Sequence, residues 1–175
     1  MRHSNLLLQL IEGFVCLSTQ SLMNVEILKL SPGDGQSFRK LLALFAEVFE
    51  MGPVDSPPIG HLDRLLVNPS FFAFTAVVSD EVVGGITCYV LDQYYNTSSY
   101  VYIFDLAIHP RFQRLGFGSR LMQAAIEHGK SLGAEEVFVQ ADDVDVHALE
   151  FYRATGGTAE KVTHFTYPLR KPTSI

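Results

Sequence analysis

Residues 100–141 constrain the fold more than any other stretch. Tyr100 to Ile108 is rich in β-branched and aromatic residues and reads as a strand. A short basic connection follows, His109 to Leu115. Then comes an amphipathic run from Gly116 to Leu132, closed by Gly133, a favourable residue just past a helix end. Glu136 to Ala141 reads as a second strand. Strand, helix and strand in that order form a right-handed crossover, so the two strands are parallel.

The other elements arrange themselves around this unit. Val25 to Leu30 reads as a strand ended by Ser31-Pro32-Gly33-Asp34-Gly35. In Phe38 to Phe49, the residues Phe38, Leu41, Leu42, Phe45, Val48 and Phe49 share one helical face. Met51 to Pro58 is a Gly/Pro loop, and Ile59 to Val67 is a short helix stopped at Asn68-Pro69. Phe71 to Val78 and Val82 to Leu91 flank Ser79-Asp80-Glu81 as a hairpin, and Gly84-Gly85 predicts a bulge or a close backbone approach. Tyr94 to Ser99 is a polar loop. Val146 to Thr155 is a helix closed by Gly156-Gly157, and Val162 to Leu169 is a last strand. The expected class is α/β with a mixed sheet, ordered β-α-α-β-β-β-α-β-α-β. No internal repeat is visible.

Length and composition fit one domain over 24–175. The chain has 175 residues, of which 47% are apolar, enough for one sizeable core. A net charge of -6 argues against a nucleic-acid partner, which demands clustered Lys and Arg. Leu6 to Leu17 is too short an apolar run to span a bilayer, and Glu12 interrupts it. Residues 1–23 read as a non-essential extension, with Met23 near the domain start; an added amphipathic helix and a cleaved signal are the alternatives. Cys16 and Cys88 form no Cys-x-x-Cys pair, so a reduced, cytoplasmic setting is expected. His61, His109, His128, His147 and His164 lack ligand spacing, and no metal is expected.

The chemistry concentrates in Asp105 to Ser119. Gly116 and Gly118 clear side chains from the start of a helix, where unpaired N–H groups and the positive dipole end favour a phosphate or pyrophosphate. Arg114 adds a charged donor. A P-loop lacks its Gly-Lys-Ser/Thr here, and a dinucleotide fingerprint lacks its third glycine, where Leu121 stands. A tight strand-to-helix turn alone would use the same two glycines.

The wider pattern resembles the GNAT acetyltransferase superfamily. Gln113-x-x-Gly116-x-Gly118 is similar to its Gln/Arg-x-x-Gly-x-Gly/Ala signature. Leu106-Ala107-Ile108-His109-Pro110 precedes it as in that family, and Phe151-Tyr152 is followed by Gly156. The likeness covers roughly residues 25–169 in the same element order. Within it, Tyr102-Ile103-Phe104-Asp105-Leu106-Ala107, Phe138-Val139-Gln140-Ala141-Asp142 and Thr163-His164-Phe165 resemble type I aminoglycoside 3-N-acetyltransferases. The chain departs at Met51 to His61, where those relatives are more acidic.

The resemblance implies direct acetyl transfer from acetyl-CoA to a cationic small-molecule amine, an aminoglycoside at its 3-amino group, conferring antibiotic resistance. Other acceptors in the same chemistry are a polyamine, a small metabolite or a protein amine; a non-catalytic acyl-CoA-binding module is the remaining reading. The resemblance also implies that strands 100–108 and 136–141 splay around the cofactor arm. Leu106, Ala107, Ile108, Gln113, Arg114, Leu115, Gly116, Phe117, Gly118 and Ser119 would bind the cofactor. Tyr152 would protonate the leaving sulfur; a phenol and a thiol, with ordinary pKa values of about 10 and 8.5, make that transfer feasible. Asp105 and Asp142 would orient the amine or relay its proton, or else merely solvate strand ends. Asp143 and Asp145 extend an acidic cluster toward a cationic substrate, with a helix-capping reading open for Asp145. A homodimer is common among such enzymes.

Overall fold

The computed structural model describes residues 24–52 and 55–169. The expectations for residues 1–23, including Cys16, and for Pro53 lie outside them. The described chain forms two compact units, one ending at Gln140 and one starting at Ala141, each taken by itself.

The first unit holds a five-stranded sheet, ordered β1 (Glu26–Lys29), β2 (Phe71–Val78), β3 (Glu81–Asp92), β4 (Ser99–Ile108) and β5 (Ala134–Val139). The first three junctions are antiparallel and β4–β5 is parallel, as the crossover requires. The helices are α1 (Gly35–Val48), α2 (Ile59–Val67) and α3 (Phe117–Ser131). A 3₁₀ turn, Pro110–Phe112, interrupts the connection after β4. The fifth strand starts two residues before its expected position.

Burial on both faces explains why β2 reads as the nearly continuous apolar run Phe-Phe-Ala-Phe-Thr-Ala-Val-Val, in which Thr75 alone is polar. Phe71 and Ala73 join Phe38, Leu41, Leu44, Phe45, Leu62 and Leu66 in one core layer with α1 and α2. The intervening Phe72 and Phe74 turn to the opposite layer, where both rings meet the His128 imidazole of α3, at 4.6 and 6.0 Å. Burial of side chains such as Leu41 and Leu121, both fully excluded from solvent, contributes on the order of 2 kcal/mol each.

The hairpin β2–β3 closes through Ser79 and Asp80, at φ 48° and 66°. This is the doubly left-handed two-residue geometry that matches the twist of its strands. Glu81 belongs to the strand. Next to Gly84-Gly85, the register passes from Ala76↔Gly84 to Val77↔Val82, leaving Val83 as an extra residue. At Gly85 a Cβ would stand 2.4 Å from Leu41 Cδ1 and 2.7 Å from the Phe74 carbonyl. Bulge and close approach therefore coexist there.

Beside β5, the β3–β4 loop is pinned by one carboxylate. Glu135 accepts from Ser98 Oγ at 2.7 Å, Gln93 Nε2 at 3.0 Å and Asn96 Nδ2 at 3.4 Å. These donors hold Glu135 below the usual carboxylate range, Ser98 and Gln93 most of all.

In the second unit, α4 (Val146–Ala154) starts at Asp145, whose carboxylate accepts from the Ala148 N–H at 2.9 Å. Gly156, at φ 95°, ends the helix turn, and Gly157 N–H donates to the Tyr152 carbonyl at 2.9 Å. The expected last strand, Val162 to Leu169, does not form. Alternation makes a strand only where a neighbouring backbone completes the ladder. No ladder forms along this segment, and Phe165, Tyr167 and Leu169 remain exposed.

Candidate active site

The decisive local feature is one extra residue in β4. The β3–β4 register passes from Thr87↔Asp105 to Cys88↔Ile103, so Phe104 has no opposite number. A bulge of this kind bends its strand and increases local twist. On the other side of β4, pairing with β5 runs only from Ser99↔Ala134 to Ile103↔Val139. Residues 104–108 are thus flanked by β3 alone, and the two parallel strands part where a splay was expected.

Backbone polarity in the parted segment follows from alternation. His109 N–H donates to the Val83 carbonyl at 2.9 Å, which sets the ladder phase between β3 and the end of β4. In an antiparallel ladder, neighbouring residues turn their N–H and C=O groups to opposite sides. Those of Asp105 and Ala107 turn toward β3, and those of Leu106 and Ile108 toward the opening. Gln113 Nε2 donates to the Ile108 carbonyl at 3.0 Å, so this side chain ties down the strand end. The groups left facing the opening are the N–H of Ile108 and both backbone groups of Leu106.

The chain then reaches the start of α3 through two left-handed residues, Arg114 at φ 62° and Gly116 at φ 81°. Gly116 is the cap of α3, and a Cβ there would meet nothing within 4 Å. The glycine thus serves the conformation, and the approach in front of it is clear. The N–H groups of Phe117, Gly118 and Ser119 open the first turn, where no intrahelical carbonyl reaches them. Arg114 is exposed beside them, as are Arg111 and Arg120, which gives this loop a positive character in an acidic chain. Phe117 is buried and anchors the turn, with its ring stacked 6.5 Å from Phe112. Leu115 is half-buried. Helix start, positive charge and open strand edge are continuous, and together suit an anion joined to a chain that hydrogen-bonds as an added strand.

Asp105 lies one residue beyond the bulge, opposite Thr87 and on the α1/α2 side of the sheet. It is half-buried, and this burial raises its carboxyl pKa above the ordinary value. Residues 142–152 fall in the second unit. Asp142 and Asp143 are exposed, and Asp145 is occupied as the helix cap. Tyr152 is half-buried on α4, its ring edge-on to Phe151 at 5.2 Å. Among the described residues, no three His, Cys, Asp or Glu side chains converge on a point.

An aromatic strip next to Asp105 was missed in the sequence. Tyr89 lies opposite Tyr102, and Tyr102 opposite Phe138, so the three share one sheet face. Phe104 reaches that face through the bulge, with ring centroids 5.7 Å from Tyr89 and 6.0 Å from Tyr102. Tyr102 stacks on Phe138 at 5.0 Å, and its hydroxyl donates to Gln140 Oε1 at 3.3 Å. Phe104 is 58% exposed. The signal was Tyr100-x-Tyr102-x-Phe104, which alternation alone marks as a strand face.

Comparison with known proteins agrees with this arrangement. Residues 37–156 match the model of the acetyltransferase (GNAT) family. The chain is 31% identical over 91 residues to the uncharacterized N-acetyltransferase YvbK of Bacillus subtilis, across 52% of this chain and 56% of that protein. It thus spans a little over half the length of that curated relative. It is also similar to the aminoglycoside acetyltransferase meta-AAC0020 from an uncultured soil metagenomic sample. Crystal structures of that protein with trehalose and with sisomicin show 43% and 42% identity, and both have a TM-score of 0.80, covering 83% of this chain and 97% of that one. A second soil metagenomic aminoglycoside acetyltransferase, HMB0005, is 33% identical with a TM-score of 0.80, covering 85% of this chain and all of the other. The chain belongs to the GNAT acetyltransferase family.

Proposed function

We propose that this protein transfers acetyl from acetyl-CoA to an amino group of an aminoglycoside, the 3-amino group, and so confers resistance in the cytoplasm. The observation that carries this reading is the bulge at Phe104, which frees the edge of β4 and leads without a break into the helix start at Gly116. The likeness to aminoglycoside acetyltransferases across 83% of the chain supports the acceptor class, as does the sisomicin complex of one of them.

The residues fit a coenzyme A thioester. The diphosphate would take the N–H groups of Leu115 to Ser119 and the charge of Arg114, and the amide-bearing arm would take Leu106 and Ile108. Gln113 contributes by fixing the strand end, and Ala107 keeps that stretch of β4 anchored in the core.

In the transfer, the neutral amine attacks the thioester carbonyl carbon. The C–N bond forms, and the oxyanion draws on a backbone N–H of the open edge. The C–S bond then breaks, and the thiolate takes the proton of the Tyr152 phenol, which regains one from solvent. The surplus amine proton passes to water, with Asp105 or Asp142 holding the ammonium form of the acceptor beforehand. Burial raises the Asp105 carboxyl pKa, which suits that carboxylate to taking up a proton in this step. Asp143 adds attraction for a polycation, and Asp145 joins it at the cost of its capping bond.

Thiol release from acetyl-CoA with gentamicin, spermidine and a peptide amine tests the reading, with NMR of the product for regiochemistry. Gentamicin is expected to be the preferred acceptor. Turnover on the peptide alone would refute it. Tyr152→Phe should lower turnover at least tenfold, in the range of acid catalysis, with acetyl-CoA affinity changed by less than about twofold. An unchanged turnover number removes Tyr152 from the mechanism.

A further inference from the structure

The aromatic strip has no role in holding the thioester or in moving protons. We propose that Phe104, braced by the stacked pair Tyr102 and Phe138, forms a stacking floor for the ring of an amino-substituted sugar or cyclitol, making the site prefer cyclic over linear amines. This rests on the acetyl-transfer reading above and names what selects its acceptor.

The floor is built from three independent constraints. The bulge swings Phe104 onto the face that Tyr89 and Tyr102 already share. The β4–β5 register brings Phe138 flat against Tyr102, 5.0 Å apart at 24°, so each covers a face of the other and the pair braces Phe104, which meets Tyr102 edge-on. The bond from Tyr102 Oη to Gln140 Oε1 at 3.3 Å fixes the phenol ring. Aromatic side chains fixed in this way lose little entropy when a ring lies over them.

Charge supplies the second half of the argument. Asp105 follows Phe104 at the inner end of the floor, and exposed Glu136, which faces Tyr100 in the register, marks the outer end. Carboxylates flanking π faces fit a ligand with an apolar ring body and ammonium groups at its rim. Ammonium groups are attracted to the carboxylates and to the negative ring faces alike. A linear polyamine satisfies the charges but leaves the aromatic faces in water. An acidic peptide is repelled.

The test uses Phe104→Leu, which keeps an apolar side chain and removes the exposed π face, and Phe138→Leu, which removes the ring that braces Tyr102 beneath it. Tyr94→Leu is the control, since Tyr94 is a 98% exposed ring in the β3–β4 loop, outside the floor. Acceptor KM for gentamicin and for spermidine is measured by thiol release, and gentamicin affinity by calorimetry with coenzyme A present. Each floor variant should raise gentamicin KM and Kd about fivefold to tenfold, and spermidine KM by much less, while Phe104→Tyr restores the preference. Equal losses for both amines, or no loss for gentamicin, overturns the floor. A change in elution volume with unchanged gentamicin Kd assigns these rings to a contact between chains and also overturns it. Wild-type protein that binds gentamicin with floor-dependent affinity but releases no thiol sinks the transferase reading and supports the floor. Wild-type protein with no gentamicin affinity sinks both.

Discussion

Thr87 holds a side chain whose replacement should make the protein more stable. It is 5% exposed, and its hydroxyl meets no hydrogen-bond partner among the described residues. A buried hydroxyl without a partner costs about 1–3 kcal/mol relative to one left in water. Thr87→Val keeps the branched shape and the β-strand preference, replaces the hydroxyl by a methyl, and removes that cost. Allowing for imperfect fit of the methyl, the gain should be about 1–2 kcal/mol, or a rise in Tm of roughly 2–8 °C for a chain of this size. Urea unfolding is the assay, with the midpoint expected to rise at constant slope. Thr87→Ser supplies the internal comparison: it keeps the orphan hydroxyl and loses a buried methyl, so the order should be Val above Thr above Ser. A valine variant less stable than wild type would refute the reasoning, because the hydroxyl would then have a partner in solution. Thr87 faces Asp105 across the ladder, so the destabilising polar group lies beside the candidate acceptor carboxylate.

Two further outcomes follow from the packing. Gly85→Ala would place a methyl 2.4 Å from Leu41 Cδ1 and 2.7 Å from a backbone carbonyl, and should cost about 2–3 kcal/mol in urea unfolding; a loss under about 0.5 kcal/mol would show that α1 gives way. His128 has its pKa lowered by burial against Phe72 and Phe74 and by Lys29, whose ammonium lies 3.0 Å from Nε2. The unfolded chain therefore binds the proton more readily, and this part of the stability, full above an unfolded pKa of about 6.5, is lost as pH falls through the lower folded value. His128→Asn should flatten the stability profile across that window, measured as Tm against pH; an unchanged slope would assign it to other groups.

Local chemistry explains which parts were legible in the sequence. The α3 boundaries were readable because Gly116 and Gly133 both take positive φ, a conformation that glycine adopts without strain. The β2–β3 hairpin was readable because Ser79-Asp80 separates two β-rich runs. The Phe104 bulge was not, since an extra residue in a ladder is a relation between two strands and leaves no mark on either alone. The same holds for the stacked pair Tyr102 and Phe138, which are distant in sequence and adjacent only through the parallel register. The alternation of Phe165, Tyr167 and Leu169 promised a strand and delivered exposed side chains, because periodicity reports what a segment can pair with and not whether it does. Asp145 went the other way: its capping bond to Ala148 had been foreseen from its place before a helix.

The opening beside β4 is a matter of residue count and not of residue type. Substituting position 104 would alter what lies over the sheet and leave the gap in place. Deleting it would let the ladder run through unbroken, with Asp105 still opposite Thr87 and every side chain from there to the helix on the face it now occupies, so the bend alone would go. Drift by point mutation can therefore retune such a protein gradually, whereas the loss of a single codon would straighten the strand and close its opening at once.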